Sequence, residues 1–300
     1  MQPKTERRDI HGVVLLDKPL GVSSNHALQT VKRLYRARKA GHTGSLDPLA
    51  TGVLPICLGE ATKVSSFLLA DDKQYQVTVQ LGVTTATLDA EGRVLAQRPV
   101  PVLSEARLTA CLQAFIGDQM QVPPMYSALK RDGKKLYQLA RQGQTVEREP
   151  RPVRIEQLTL VAWGEDWLEL AVHCSKGTYI RTLVDDIGQA LGCGAHVKAL
   201  RRTAVGEFTL AHSVTIETLA EGGDAALGQA LLPVDAVLTA MPAVTLPDNL
   251  AAKVRCGQLV VFDVPAAVGW VRLYSASSAL LGLGEISADG KIQPKRVFNF

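Results

Sequence analysis

Asp47 is the side chain best placed to do chemistry. It is the one carboxylate in Gly41-His42-Thr43-Gly44-Ser45-Leu46-Asp47-Pro48-Leu49-Ala50-Thr51-Gly52, a glycine-rich stretch with a histidine before the acid and a proline after it. Gly41, Gly44 and Gly52 permit turns that residues with a Cβ resist. Pro48 steers Asp47 away from the helical region, so the acid stands in extended or turn backbone. Lys32, Arg33, Arg36, Arg38 and Lys39 crowd the preceding segment. A lone acid displayed beside concentrated positive charge suits a nucleophile that works on an anionic polymer.

Rival chemistries find little support. The five cysteines, Cys57, Cys111, Cys174, Cys193 and Cys256, are scattered and odd in number, which argues against a disulfide framework and against a zinc site. His42 has no second histidine at ligand spacing, so no metal is expected. No phosphate-cradling Gly-Lys-Ser/Thr loop and no dinucleotide GxGxxG after a strand occurs, so no cofactor is expected either. A net charge of +4 permits a nucleic-acid partner without demanding one. Where the charge lies says more. Lys130, Arg131, Lys134, Lys135 and Arg141 form a second basic cluster, and Lys198, Arg201 and Arg202 a third. Any one such run is ordinarily a solvated face; three that bracket one candidate site point to a phosphate track. Met1–Arg8 lacks an apolar signal core, and no apolar run approaches the ~20 residues needed to span a bilayer. A cytoplasmic protein without a membrane partner is the expectation.

The elements that must position Asp47 are legible in outline. Three hundred residues with 46% hydrophobic content suit a globular chain of one large domain or two. Gly12–Leu16 reads as a buried strand leading into Asp17-Lys18-Pro19. Ser24 is the expected N-cap of a helix with Ala27, Leu28, Val31, Leu34 and Tyr35 on one face and basic residues on the other. Tyr75, Val77, Val79 and Leu81 alternate with polar residues, as do Leu168, Leu170, Val172 and Cys174, the signature of half-buried strands. Ile180, Leu183, Val184, Ile187 and Leu191 recur at helical spacing, and Gly192 is a sensible stop. Strands and helices mix without strict βαβ alternation. The expected class is therefore α+β, with a large, mostly antiparallel mixed sheet flanked by helices. Residues 122–152, polar, basic and bounded by Pro123-Pro124 and Pro150-Arg151-Pro152, read as an inserted arm with a short helix over Leu136–Arg141. Prolines near residue 240 mark a boundary. The short alternating segments beyond it predict a small β-barrel-like domain over 241–300, after a main domain over 1–240.

The glycine-rich loop resembles the catalytic motif of the TruB family of pseudouridine synthases. The likeness extends to Leu16-Asp17-Lys18-Pro19 with Gly21–Asn25, Leu58–Lys63, Met125–Lys130, Lys176–Thr182, Leu191–His196 and Leu200-Arg201-Arg202, in this order along most of the chain. The resemblance implies the pseudouridine synthase fold with an RNA-binding PUA-type tail, and isomerisation of uridine 55 in the T-arm loop of tRNA by base flipping, with no cofactor and no obligate protein partner. It makes Asp47 the nucleophile. That assignment fits the chemistry: uracil leaves as a delocalised anion, so one carboxylate can suffice where glycosidases need two. Whether the acid adds to the sugar, adds to the base or removes a 2′ proton stays open. The resemblance further implies that Arg181 pairs with the acid, although an arginine early in a helix could equally face solvent. Tyr75 would stack on the flipped base, with Tyr179 and Leu200 completing the pocket. His42 would fill the space that the base vacates, and Lys63 would reach a phosphate or the sheet edge of the site. The arm becomes an RNA-gripping thumb carrying Lys130, Arg131, Lys134 and Lys135. One departure is Ala86, where the family often has an acid in Thr-Asp-Thr. Two other readings compete: a non-catalytic RNA-binding or RNA-folding protein, and an N-glycosidase that releases free uracil.

Overall fold

A computed structural model describes residues 6–131, 133–262 and 268–300; most of the N-terminal stretch read for a signal core lies outside them. The chain runs through β1 (Gly12–Lys18), α1 (Ser24–Leu34), β2 (Ala40–His42), β3 (Ala50–Leu58), a 3-10 turn over Gly59–Lys63, α2 (Ser65–Ala70) and β4 (Lys73–Leu81). The hairpin β5 (Val83–Thr85) and β6 (Val94–Gln97) follows, then α3 (Glu105–Gln113) and β7 (Gly117–Gln121). The arm holds the hairpin β8 (Lys130–Arg131) and β9 (Lys134–Lys135) and helix α4 (Leu136–Arg141). Next come β10 (Arg151–Trp163), β11 (Trp167–Cys174), α5 (Ile180–Leu191), β12 (Ala195–Val205), β13 (Phe208–Thr209), α6 (Ile216–Glu221), α7 (Gly223–Ala230) and β14 (Leu231–Leu232). The final segment carries β15 (Ala243–Leu246), α8 (Asp248–Arg255), β16 (Val260–Val261), β17 (Gly269–Ser275), β18 (Leu280–Ile286) and β19 (Lys291–Val297).

The expected class is the observed one. A ten-stranded sheet runs β14-β1-β3-β12-β4-β11-β10-β7, with β2 on β3 and β13 on β12. Every pairing in it is antiparallel except β12 on β3. In β4, Tyr75, Val77, Val79 and Leu81 are buried while Gln74 and Gln76 are exposed, so the alternating pattern marks the core face. On that face lie Ala27, Leu28 and Val31 from α1, Leu108 and Leu112 from α3, and Ile180, Leu183, Val184, Ile187 and Leu191 from α5. Val184 and Ile187 are fully buried; each such side chain contributes about 1.5–3 kcal/mol of hydrophobic stabilisation. Gly192, at φ +89°, ends α5 in the left-handed conformation.

β1 does not alternate, because both of its faces are covered. Val14 and Leu16 point into the main core. Val13 and Leu15 pack with Cys57, Val64 and Leu68, and also with Leu283 and Phe298 of the last segment. That segment forms its own five-stranded sheet, β15-β17-β18-β19-β16, whose core joins Val244, Leu246, Val254, Val271 and Ile292. One expectation needs correction. Ser23, not Ser24, caps α1: its hydroxyl accepts from the His26 amide at 3.2 Å, with Ser23 itself in extended backbone. Ser24 is the first helical residue, and its hydroxyl is used elsewhere.

Candidate active site

The loop that carries Asp47 is held from three elements at once. Parallel pairing sets Arg202 of β12 opposite Gly52 of β3. A Cβ on Gly52, at φ +105°, would lie 2.1 Å from the Arg202 carbonyl oxygen, so only glycine fits. The Arg202 side chain, 2% exposed, donates from Nε to the Val53 carbonyl at 2.7 Å and from Nη2 to the Gly44 carbonyl at 3.0 Å. From α1, the Ser24 hydroxyl donates to the Leu46 carbonyl at 2.8 Å and accepts from the Leu46 amide at 2.7 Å. From β1, the fully buried Lys18 donates to the carbonyls of Pro19 at 2.8 Å and Val22 at 2.6 Å, and reaches that of Pro48 at 3.4 Å. The residues on both sides of Asp47 are thus clamped. Burial pushes the Lys18 ammonium down to about 8, with Asp47 opposing.

Arg181, the second residue of α5, turns inward and is 6% exposed. Its Nε lies 3.0 Å from Asp47 Oδ2 and its Nη1 3.5 Å from Asp89 Oδ2. Nη1 also donates to the Thr87 carbonyl at 2.9 Å, and Nη2 to the Tyr126 carbonyl at 2.7 Å. A cation in the first turn of a helix opposes the macrodipole, and the two carboxylates across from it offset that. Asp89 is fixed in turn by the Thr87 hydroxyl at 2.5 Å and the Glu91 amide at 3.1 Å. The Asp47 side chain, 41% exposed, is open towards a cavity and surrounded by protein elsewhere. Burial raises its pKa, Arg181 opposes, Asp89 reinforces the rise, and the net direction is upward.

A cavity of about 780 Å³ opens over Asp47, within the size range of small-ligand sites. Tyr75, Tyr179, Leu200 and Arg202 form part of its wall, and the arm supplies Tyr126, Ser127 and Tyr137. Gln121 of β7 holds the Tyr179 main chain from both sides, accepting from its amide at 2.7 Å and donating to its carbonyl at 3.1 Å. Burial raises both phenols above their ordinary value; Arg202 opposes this at Tyr75. Each ring therefore offers a neutral stacking face at pH 7. No group of three or more metal-ligating side chains occurs among the described residues.

The sequence-predicted residues do not all converge. Asp47, Tyr75, Tyr179, Arg181 and Leu200 share the cavity. His42 ends β2 opposite Ile56 and does not line it. Its Nδ1 is buried without a partner, and burial with the nearby Arg202 charge lowers its pKa, leaving the ring neutral. Lys63 lies elsewhere: its ammonium binds Glu60 Oε2 at 2.5 Å and the Val297 carbonyl at 2.7 Å. The reason is distance, since β3 leads away from the loop and its nine residues span roughly 25–30 Å. Lys130, Arg131 and Lys134 stand exposed on the arm hairpin, with Lys135 partly covered; the Arg131 guanidinium donates to the Glu147 carbonyl. The third basic cluster is not a free track. Arg202 is buried, Arg201 makes a two-pronged pair with Asp17 at 2.6 and 3.1 Å, and Lys198 donates to Gln80.

Sequence reasoning counts Arg202 as surface charge and leaves Asp89 and Ser127 without a role. Arg202 carries a signal: Leu200, Arg202 and Ala204 alternate and are all buried, so period two places the arginine on the apolar face. Asp89 carries none, because its partner Arg181 is far along the chain.

Comparison with known proteins bears on this geometry. Residues 32–180 match the N-terminal domain of TruB family pseudouridylate synthases. Residues 181–239 match the tRNA pseudouridylate synthase B C-terminal domain, and 242–298 the C-terminal domain of pseudouridine synthase II TruB. The tRNA pseudouridine synthase B of Stutzerimonas stutzeri (strain A1501) is 56% identical, over 99% of this chain and 98% of that one. Its counterpart from Nitrosococcus oceani is 54% identical, over 99% and 97%. Among solved structures, the fold matches a chain in an H/ACA RNP bound to a substrate RNA containing 2′-deoxyuridine (TM-score 0.73, 23% identity, 97% of this chain and 86% of that one). It also matches a chain of a Cbf5-Nop10-Gar1 complex (TM-score 0.73, 26% identity, 96% and 85%).

Proposed function

Since this chain belongs to the TruB family of pseudouridine synthases and is thereby an isomerase, we propose that it converts uridine 55 in the T-arm loop of tRNA to pseudouridine. The reaction breaks the N1–C1′ bond, turns the uracil and rejoins it through C5. Nothing is oxidised and no water is added. Asp47 is the single carboxylate that acts at the glycosidic centre. Addition to the sugar, addition to the base and removal of the 2′ proton all begin from its ionised form. The observation that carries the reading is the pair of Asp47 with Arg181 at 3.0 Å, in a cavity of nucleoside size.

Burial alone would favour the protonated acid, and Arg181 works against that. The uridine reaches Asp47 by flipping out of the RNA, since the carboxylate lines a protein cavity and a base stacked within a helix is not free to enter one. Tyr75 and Tyr179 receive the flipped base on their flat faces, Leu200 closes the pocket, and His42, a neutral ring just ahead of the loop, fills the gap left in the RNA. Lys130, Lys134 and Lys135 on the arm hold phosphates. Residues 241–300 form a PUA-type domain that adds contact with the tRNA body. No helix among the described residues is long and apolar enough to cross a membrane. The test is to incubate the protein with an unmodified T-arm stem-loop and map the products. Pseudouridine at the position of uridine 55 is expected. Free uracil with an abasic RNA would replace this reading with N-glycoside hydrolysis, and unchanged RNA would leave only binding.

A further inference from the structure

Five polar side-chain atoms among the described residues are buried without a hydrogen-bond partner: His42 Nδ1, Thr43 Oγ1, Ser127 Oγ, Arg148 Nε and Thr182 Oγ1. Of these five residues only Ser127 lines the cavity over Asp47. It is 5% exposed. The main chain around it is firmly engaged: its own carbonyl accepts from the Tyr137 amide at 3.1 Å, and the preceding Tyr126 carbonyl accepts from Arg181 at 2.7 Å. The place of the hydroxyl is therefore set by its neighbours and not by any bond of its own. The Tyr179 phenol lies close enough for Ser127 to damp the rise of its pKa, yet no bond of acceptable geometry joins them.

A buried hydroxyl with no partner is destabilising, because its bonds to water are lost and not replaced. Such groups are rare in folded proteins and call for a cause. A ligand that completes the bond is one, and here the residue lines the very cavity that the substrate would fill. We infer that Ser127 is a substrate-binding residue whose hydroxyl donates to an oxygen of the target nucleotide, either a carbonyl of the base or the ribose 2′-hydroxyl. This rests on the function proposed above. The arm then does more than hold phosphates, since it also reads the nucleotide undergoing reaction. The same segment fixes Arg181 through Tyr126, so recognition and the catalytic ion pair meet at adjacent residues.

The experiment compares Ser127→Ala with the parent in thermal midpoint, affinity for the unmodified T-arm stem-loop and single-turnover pseudouridine formation. The midpoint should stay level or rise, since an orphaned hydroxyl is removed, while kcat/KM and affinity together fall about tenfold, the scale of one hydrogen bond. The parent-to-variant ratio is then measured on stem-loops carrying 2-thiouridine, 4-thiouridine or 2′-deoxyuridine at the target. It should shrink towards one for the substrate that lacks the accepting oxygen, and that substrate names the atom. A lowered midpoint with unchanged affinity and turnover would make the hydroxyl structural. A ratio equal on all three substrates would remove the contact. A parent that binds the stem-loop without isomerising it would sink the proposed reaction, while the affinity ratios would still decide the role of Ser127.

Discussion

At Asp47, reactivity and reachability pull against each other. The carboxylate must face an open cavity, yet the walls that shape the cavity raise its pKa. Arg181 resolves the conflict at 3.0 Å, and its remaining donors leave it no freedom to move away. Asp47→Asn should abolish pseudouridine formation and leave stem-loop affinity within a few fold, because the role proposed for the acid is chemistry and not the holding of an anion; robust turnover by the variant would remove Asp47 from that role. Arg181→Met should lower turnover strongly and change the pH profile in a defined direction. In the proposed reaction the working form is ionised, so activity should be lost as pH falls through the Asp47 pKa. That pKa already stands above the ordinary carboxylate value, and removing the opposing charge raises it further. The acid limb of the pH–rate curve should therefore move to higher pH in the variant. A limb that stays in place would refute the pairing.

Loop and arm, one scale up, are governed by different physics. The loop is held by Ser24, Lys18 and Arg202, which bond its backbone and that of its flanks from three directions. Gly52→Ala should destabilise the protein by about 1–3 kcal/mol, since a Cβ there meets backbone that cannot yield; chemical denaturation would show an unchanged midpoint if the approach were relieved cheaply. The arm instead displays charge. Lys130→Ala and Lys134→Ala should each weaken tRNA binding and reduce the slope of log affinity against log salt by about 0.7–0.9, one counterion per lost phosphate contact. Arg131→Ala should change the slope less, because that guanidinium already donates to Glu147 within the arm. Equal slopes for the lysine variants and the parent would mean a merely solvated face.

For the whole molecule, the last segment is bound more closely than a tethered tail. Leu283 and Phe298 cover Val13 and Leu15 on the side of β1 that faces away from the main core. Lys63 and Glu60 grip the Val297 carbonyl and the Asn299 amide at 2.7 and 2.9 Å. Ending the chain after Ala240 should therefore lower the unfolding midpoint and promote aggregation, as buried apolar surface meets water. The last residue of the cavity wall is Arg202, so a soluble truncation should still modify an isolated stem-loop while its Michaelis constant for full-length tRNA rises. Equal loss on both substrates would make the last segment part of the catalytic machinery.

What is legible in the chain alone is what local pattern controls. Alternation marks β4 and β11, helical spacing and Gly192 bound α5, the flanking prolines and charges single out the arm with its helix over Leu136–Arg141, and Asp47 stands out by residue type and loop composition. Each depends on neighbours within a few residues, where backbone geometry leaves few choices. The contacts that make the site depend on distant partners. Ser24 and Leu46 are 22 residues apart, Arg202 and Gly44 158, and Lys63 and Val297 234. A serine doublet before a helix does not say which hydroxyl caps and which clamps a loop. A basic pair does not say that one arginine, Arg202, is buried while the other, Arg201, pairs with Asp17. Period and propensity determine which face of an element seeks cover. Only tertiary packing, which brings β12 beside β3 and the last sheet behind β1, decides what covers it and which charges meet there.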